Sequence, residues 1–235
     1  MEKETTLIIK TFQRPSCCER LVESIRRYYP EIAIVVVDDG NKHPNLSQWQ
    51  NVLVIHLNFD VGVSLGRNRA LQEVKTPYFV TLDDDFIFTD QTKLEKWYAL
   101  LISNPDVDLV GGSVKDCAPY HGCWIWKNQD IELHIGKCKG KTRRGLEKFD
   151  ITLQFFMART KKIQPIQWDP KLKMTDHSVF FLRCKRAGVV VTYLPEVQVD
   201  HERGTSQEYH NYRYRTEFKE MAMKKLGAQN YLIIK

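Results

Sequence analysis

Two apolar runs in the first half of this chain each end on consecutive aspartates. Residues 32–37 are apolar and rich in β-branched side chains, and Asp38-Asp39-Gly40 follows; residues 78–82 lead into Asp83-Asp84-Asp85. Short continuous apolar runs suit strands buried on both faces, the setting of a parallel sheet covered by helices. The surrounding pattern agrees. Further strands are expected at 6–10, 52–57 and 109–114. Helices are expected at 15–29, closed by Pro30, and at 62–74 and 92–103. Strands alternating with helices predict an α/β fold with a mostly parallel, Rossmann-like sheet flanked by helices. In such sheets ligands bind outside the carboxyl ends of the strands. Both acidic clusters fall at such ends, which places a site there.

The second half is less regular. Residues 121–148, rich in Trp, Lys, Gly and Cys, read as loops or hairpins. Strands are expected at 149–157, 189–193 and 197–201, with helices at 176–187 and 209–226. No repeat or linker interrupts the 235 residues, so one domain is expected, with a half at about 6–115 that carries both acidic strand ends and a second half at about 116–235.

Like charges packed this closely repel one another, and a divalent cation resolves the conflict. Asp83 and Asp85 are hard oxygen ligands suited to Mg²⁺ or Mn²⁺ that leave positions for phosphate oxygens. A solvated turn or a helix cap is the alternative. Asp38 and Asp39 could accept hydrogen bonds from a ribose hydroxyl or a base N–H, or could simply form the turn before Gly40.

Composition narrows the partners. The net charge of +6 fits a basic cleft for an anionic sugar nucleotide or, equally, a solvated basic face. Nucleic acid is not an expected partner, because no RNA- or DNA-binding signature accompanies the basic residues. No run of eighteen apolar residues occurs, so no membrane span is expected. The start of the chain lacks a signal-peptide pattern. A full-length chain would be cytoplasmic; the alternative is a catalytic domain excised from a longer chain, for which the resemblance given below implies the Golgi lumen. The six cysteines form no CxxC pair, which argues against a thiolate zinc site, while Cys117, Cys123 and Cys138 could supply one disulfide in a secretory setting.

The ordered set Ile9-Lys10-Thr11-Phe12-Gln13-Arg14, Val37-Asp38-Asp39-Gly40, Gly66-Arg67-Asn68-Arg69-Ala70, Leu82-Asp83-Asp84-Asp85-Phe86, Val110-Gly111-Gly112-Ser113-Val114, Phe180-Phe181-Leu182 and Val199-Asp200-His201 resembles family-2-type glycosyltransferases of the glycosyltransferase-A fold. More narrowly it resembles the catalytic domain of ganglioside β-1,4-N-acetylgalactosaminyltransferases. The similarity runs from about residue 7 to about residue 203.

The resemblance implies a transferase that moves a sugar from a UDP-sugar, N-acetylgalactosamine or another hexose, to a carbohydrate or glycoconjugate. It implies Asp83 and Asp85 on a Mn²⁺ or Mg²⁺ ion with the donor diphosphate, and His201 as a third ligand. Asp38 or Asp39 would hold the uridine. Thr11, Arg14, Arg67, Asn68 and Asp84 would complete the nucleotide-sugar site. Family members carry an acidic pair just before the Phe-Phe-Leu helix, one member of which is the general base. Here that position reads Ser178-Val179, so Asp176 is the nearest carboxylate and His177 the alternative base. Trp124 and Trp126 either shape the acceptor site or belong to the core. Two other functions stay open: an inactive sugar-nucleotide-binding module, and a nucleotidyltransferase, against which the lack of glycine in residues 11–16 argues.

Overall fold

The structure is a computed structural model and describes residues 1–202, 209, 211–212 and 215–235. Its main sheet has eight strands in the order β3-β2-β1-β4-β9-β6-β10-β5. Strands β1 (Thr5–Thr11), β2 (Ala33–Asp38), β3 (Val52–His56) and β4 (Tyr78–Asp83) form a parallel half. Helices α1 (Pro15–Tyr28) and α2 (Val63–Glu73) connect them. Pro15 opens α1, where its missing N–H costs no hydrogen bond. The run expected to be buried on both faces is so: Ile34, Val35, Val36 and Val37 are at most 5% exposed.

Strand β9 (Phe156–Arg159) runs antiparallel between β4 and β6 (Leu109–Val114), and β10 (Val191–His201) continues the sheet beside β6. The expectation of a strand across 149–157 is corrected, since regular pairing begins only at Phe156. The two strands expected at 189–193 and 197–201 are one strand, β10, whose register shifts between Tyr193 and Gln198. That irregularity sits at Pro195, which has no N–H to offer a ladder.

A short strand β5 (Phe86–Ile87) pairs antiparallel with the end of β10. Residues 121–148 contain a hairpin, β7 (Gly122–Lys127) and β8 (Asp130–Ile135), and β11 (Asn230–Ile234) joins it in a separate sheet of three strands.

Two apolar cores flank the main sheet. One, around Leu21, Trp97 and Phe155, packs α1 and α3 (Leu94–Ser103) against it. The other gathers α2, α5 (His177–Arg186), α6 (Thr216–Leu226) and the hairpin around Trp168, Phe180 and Phe181. A single turn, α4 (Thr160–Ile163), follows β9. The helix expected at 209–226 is described from Thr216 to Leu226; residues 210, 213 and 214 of that range lie outside the described residues. All six cysteines are free thiols. Among the described residues no helix is long and apolar enough to cross a membrane.

Candidate active site

Strand register assembles the site. Lys10 and Thr11 at the end of β1 stand opposite Asp83 of β4 and Asp38 of β2. All four therefore lie at the carboxyl edge of the sheet. A cavity of about 460 Å³ opens there.

The acidic cluster forms its floor. Asp84 is buried, and accepts from Thr11 Oγ1 at 2.7 Å and from Arg14 Nη2. Arg14 Nη1 donates to Asp85 at 2.8 Å. Asp83, whose side chain is 40% exposed, accepts from Arg67 Nη2 at 2.7 Å. Burial pushes the Asp84 carboxyl up to about 6, and the Asp85 and Asp83 charges add to it; Arg14 and Thr11 pull the other way. Burial also raises the Asp83 carboxyl, against the pull of Arg67.

The antiparallel pairing of His201 with Phe86 carries the end of β10 to this cluster. His201 Nε2 lies 3.3 Å from Asp85 Oδ2. Two ligands on one ion at bond lengths near 2.1 Å lie about 3–3.5 Å apart. Two carboxylates and an imidazole form a donor set that fits Mn²⁺ and, less well, Mg²⁺. Asp85 and His201 already meet; Asp83 is turned toward Arg67 and would have to swing to join them.

Arg67 is the second organising group. Its buried guanidinium gives Nη2 to Asp83 and Nη1 to Asp176, the latter also at 2.7 Å. Gly66 makes room for the Lys10 side chain, because a Cβ there would lie 2.3 Å from Cδ of Lys10. Lys10 in turn pairs with Asp39. Asp39 also accepts from the backbone N–H of Gly62 at 2.8 Å, and Gly62 has φ of 97°, a conformation few other residues adopt.

Asp176 precedes α5 without capping it. No side-chain cap bond forms, and the carboxylate faces Arg67 and the cavity. His177 hydrogen-bonds Gln154 Oε1 through Nδ1 at 2.8 Å. Burial pushes its imidazole down to about 4, with nearby Arg67 adding to the effect and Asp176 opposing it. Such a ring is neutral at pH 7 and binds a proton weakly.

The other expected site residues divide. Arg14, Asp39, Arg67 and Asp84 line the cavity together with Asp83, Asp85, Asp176, His177 and His201. Thr11 supports Asp84 from beneath. Asn68 is corrected to a positioning role. It does not line the cavity, and its amide bonds both the backbone N–H and C=O of Trp168 at 2.8 Å. Asp38 is fully buried and faces His43. Trp124 is buried in the core and Trp126 packs under Lys185, so neither tryptophan reaches the cavity.

Sequence reasoning missed several cavity residues. Lys10 was legible as a cation at a strand end. Phe12 and Tyr212 line the cavity and, with Phe59 behind them, form a ring cluster with centroids 5.2–5.6 Å apart. Tyr209 stacks on the Arg14 guanidinium. Arg215 pairs with Asp60 at 2.6 Å. These side chains come from distant segments, and no spacing signals them. Together they add basic groups and an aromatic edge to a cavity in which carboxylates predominate, chemistry that suits a metal-bound diphosphate joined to a flat base.

Known proteins resemble this chain in sequence and in fold. The model of the family described as Glycosyl transferase family 2 matches residues 6–166. The chain is 35% identical over 188 residues to β-1,4 N-acetylgalactosaminyltransferase 1 of Mus musculus, covering 75% of this chain. It is 33% identical over 181 residues to β-1,4 N-acetylgalactosaminyltransferase 2 of the same organism. The chain spans 35% of the length of these relatives. Among solved structures, S. aureus TarS 1–349 in complex with UDP-GlcNAc superposes with a TM-score of 0.65 at 16% identity, over 92% of this chain and 64% of that one. At that identity the likeness concerns the fold.

Proposed function

The chain belongs to glycosyl transferase family 2, and from that premise we propose that it is an inverting, metal-dependent transferase moving a sugar from a UDP-sugar to a carbohydrate or glycoconjugate acceptor. One observation carries the reading. The Asp83–Asp85–His201 cluster and the Asp176 carboxylate open onto the same cavity, which also holds basic and aromatic side chains. The names of the relatives support N-acetylgalactosamine as the sugar. The ligand in the TarS title supports a uridine diphosphate carrier.

Asp83, Asp85 and His201 would hold the divalent cation, which when bound supplies positive charge against the diphosphate leaving group. The rings of Phe12 and Tyr212, backed by Phe59, offer a face to the base. Asp39 is placed to accept from the nucleoside, and Arg14 and Arg215 face the phosphates. The acceptor hydroxyl forms the new bond at the anomeric carbon as the carbon–oxygen bond to the diphosphate breaks. Asp176 takes the hydroxyl proton. His177, hydrogen-bonded to Gln154 beside it, is the alternative base. Residues 6–115 supply most of the donor side, and residues 116–235 add Asp176 and the acceptor side.

Calorimetry with UDP, with Mn²⁺ and then with EDTA, tests the core of this reading. UDP binding should weaken sharply in EDTA, and a panel of UDP-, GDP- and CMP-sugars should show a preference for UDP. Unchanged affinity in EDTA, or a GDP or CMP preference, would refute it.

A further inference from the structure

A second set of ligands lies on the far side of the same strand ends. Among the described residues, one group of three His, Cys, Asp or Glu side chains places its ligand atoms within 4.8 Å of one another: Asp38, His43 and His56. We propose that these three residues bind a transition-metal ion of the Zn²⁺ type, separate from the cluster of Asp83, Asp85 and His201.

The geometry is set largely by the sheet. Parallel pairing of β2 with β3 puts Asp38 directly opposite His56. Both are strand residues, so two of the three ligands sit on a rigid frame. Gln13 holds the loop carrying His43, because its Oε1 accepts from the backbone N–H groups of Asn41 and Lys42 at 2.7 and 3.2 Å. Pro44 then limits the chain just after His43.

The ligand atoms converge on one carboxylate oxygen. His43 Nδ1 lies 2.6 Å from Asp38 Oδ2, and His56 Nδ1 lies 3.7 Å from the same atom. The two rings meet edge to face with centroids 4.3 Å apart. Ligands on a tetrahedral zinc ion stand about 3.4 Å apart at the usual bond lengths. Small side-chain rotations would reach that spacing from 2.6 and 3.7 Å. The other carboxylate oxygen, Oδ1, accepts from the Gly40 N–H at 2.9 Å, which orients the ligand from behind.

The donor set selects the metal. Two imidazoles and one carboxylate favour Zn²⁺ over Mn²⁺ and Mg²⁺, whereas two carboxylates and one imidazole suit the hard cation of the donor cleft. Both imidazoles are about half exposed, with side-chain exposures of 50% and 51%. That leaves a way in for the ion and an open fourth position for water. Asp38 is fully buried, so a bound cation would compensate a charge already removed from solvent. The ion would tie together the carboxyl ends of β2 and β3 and the loop between them, next to Asp39 in the donor cavity.

The test uses the chain stripped with chelator and titrated with ZnCl₂ alone, by calorimetry and thermal unfolding. Wild type should bind one Zn²⁺ at micromolar concentration and melt higher, and the variant Asp83→Asn/Asp85→Asn should do the same. His43→Gln/His56→Gln should fold, because both side chains are half exposed, yet lose at least about tenfold in Zn²⁺ affinity. Co²⁺ absorption in the wild type checks the nitrogen and oxygen ligands independently of any variant. Undiminished Zn²⁺ affinity in the histidine variant would overturn the proposal, as would loss of all Zn²⁺ binding on removing Asp83 and Asp85. Absence of stoichiometric Zn²⁺ binding by the wild type would do so too. UDP binding that fails in EDTA for the wild type but is indifferent to the histidine substitutions leaves the donor-cation reading standing and separates the two sites.

Discussion

Arg67→Met isolates the contact that joins the acidic cluster to the Asp176 wall of the cavity. The methionine keeps most of the apolar stem and deletes the guanidinium. Two charge-assisted hydrogen bonds of 2.7 Å disappear, one to Asp83 and one to Asp176. Removing one partner of a buried ion pair costs about 3–5 kcal/mol, because the other charge stays behind without compensation. The two carboxylates are not equally exposed. The Asp83 side chain is 40% exposed and can recover water, whereas that of Asp176 is 8% exposed and cannot. The loss therefore belongs mainly to Asp176 and should fall near the lower limit, about 3 kcal/mol. Urea unfolding of the metal-free chain measures it. Adding Asp176→Asn to Arg67→Met removes the stranded charge, so the double variant should be more stable than the sum of the two single losses by about 1–2 kcal/mol. Strict additivity, or a loss below about 1 kcal/mol for Arg67→Met, would show that Arg67 does not hold Asp176 and would refute the reasoning.

Three further outcomes follow from the same geometry. Asp176→Asn should lower kcat by roughly 10²–10⁴-fold with UDP affinity unchanged, and near wild-type turnover in a transfer assay would remove Asp176 as the base. His177 has a folded pKa of about 4, below its ordinary 6.5, so between those values the unfolded chain binds more protons. Its contribution to stability, at most about 3 kcal/mol, is thus complete above 6.5 and lost as pH falls toward 4. His177→Gln should flatten that part of the urea-midpoint profile, and an unchanged slope would contradict the assignment. Gly112→Ala should cost about 3 kcal/mol in urea unfolding, the upper part of the overpacking range, because its Cβ would lie 2.4 Å from the Val197 carbonyl and 2.5 Å from Trp97; a loss under about 1 kcal/mol would mean that this part of the core yields.

The parallel half of the sheet was readable from local chemistry alone. Its strands are short, apolar on both faces and bounded by turn residues, so each declares itself within a few residues. The acidic ends of β2 and β4 were visible for the same reason, and strand-end topology alone placed them at a ligand site. Asp83, Asp84 and Asp85 needed no tertiary information to be singled out.

What the sequence could not decide was which distant group meets which. The pairing of Arg67 with Asp176 spans 109 residues. It makes Arg67, expected in the nucleotide-sugar site, also the tie between two walls of the cavity. Asp176 stands at the N-cap position of α5, yet its carboxylate makes no cap bond and accepts from the buried Arg67 guanidinium instead. Asn68 looked like part of a binding motif, yet folding brought the Trp168 backbone, 100 residues away, to its amide. Local pattern determined the strands, the helices and the aspartates at the strand ends, because short-range sterics and burial act over a few residues. The partner of each charge, the aromatic edge and the convergence of His43 and His56 on Asp38 were decided only by tertiary structure, because strand register and long-range packing set those distances.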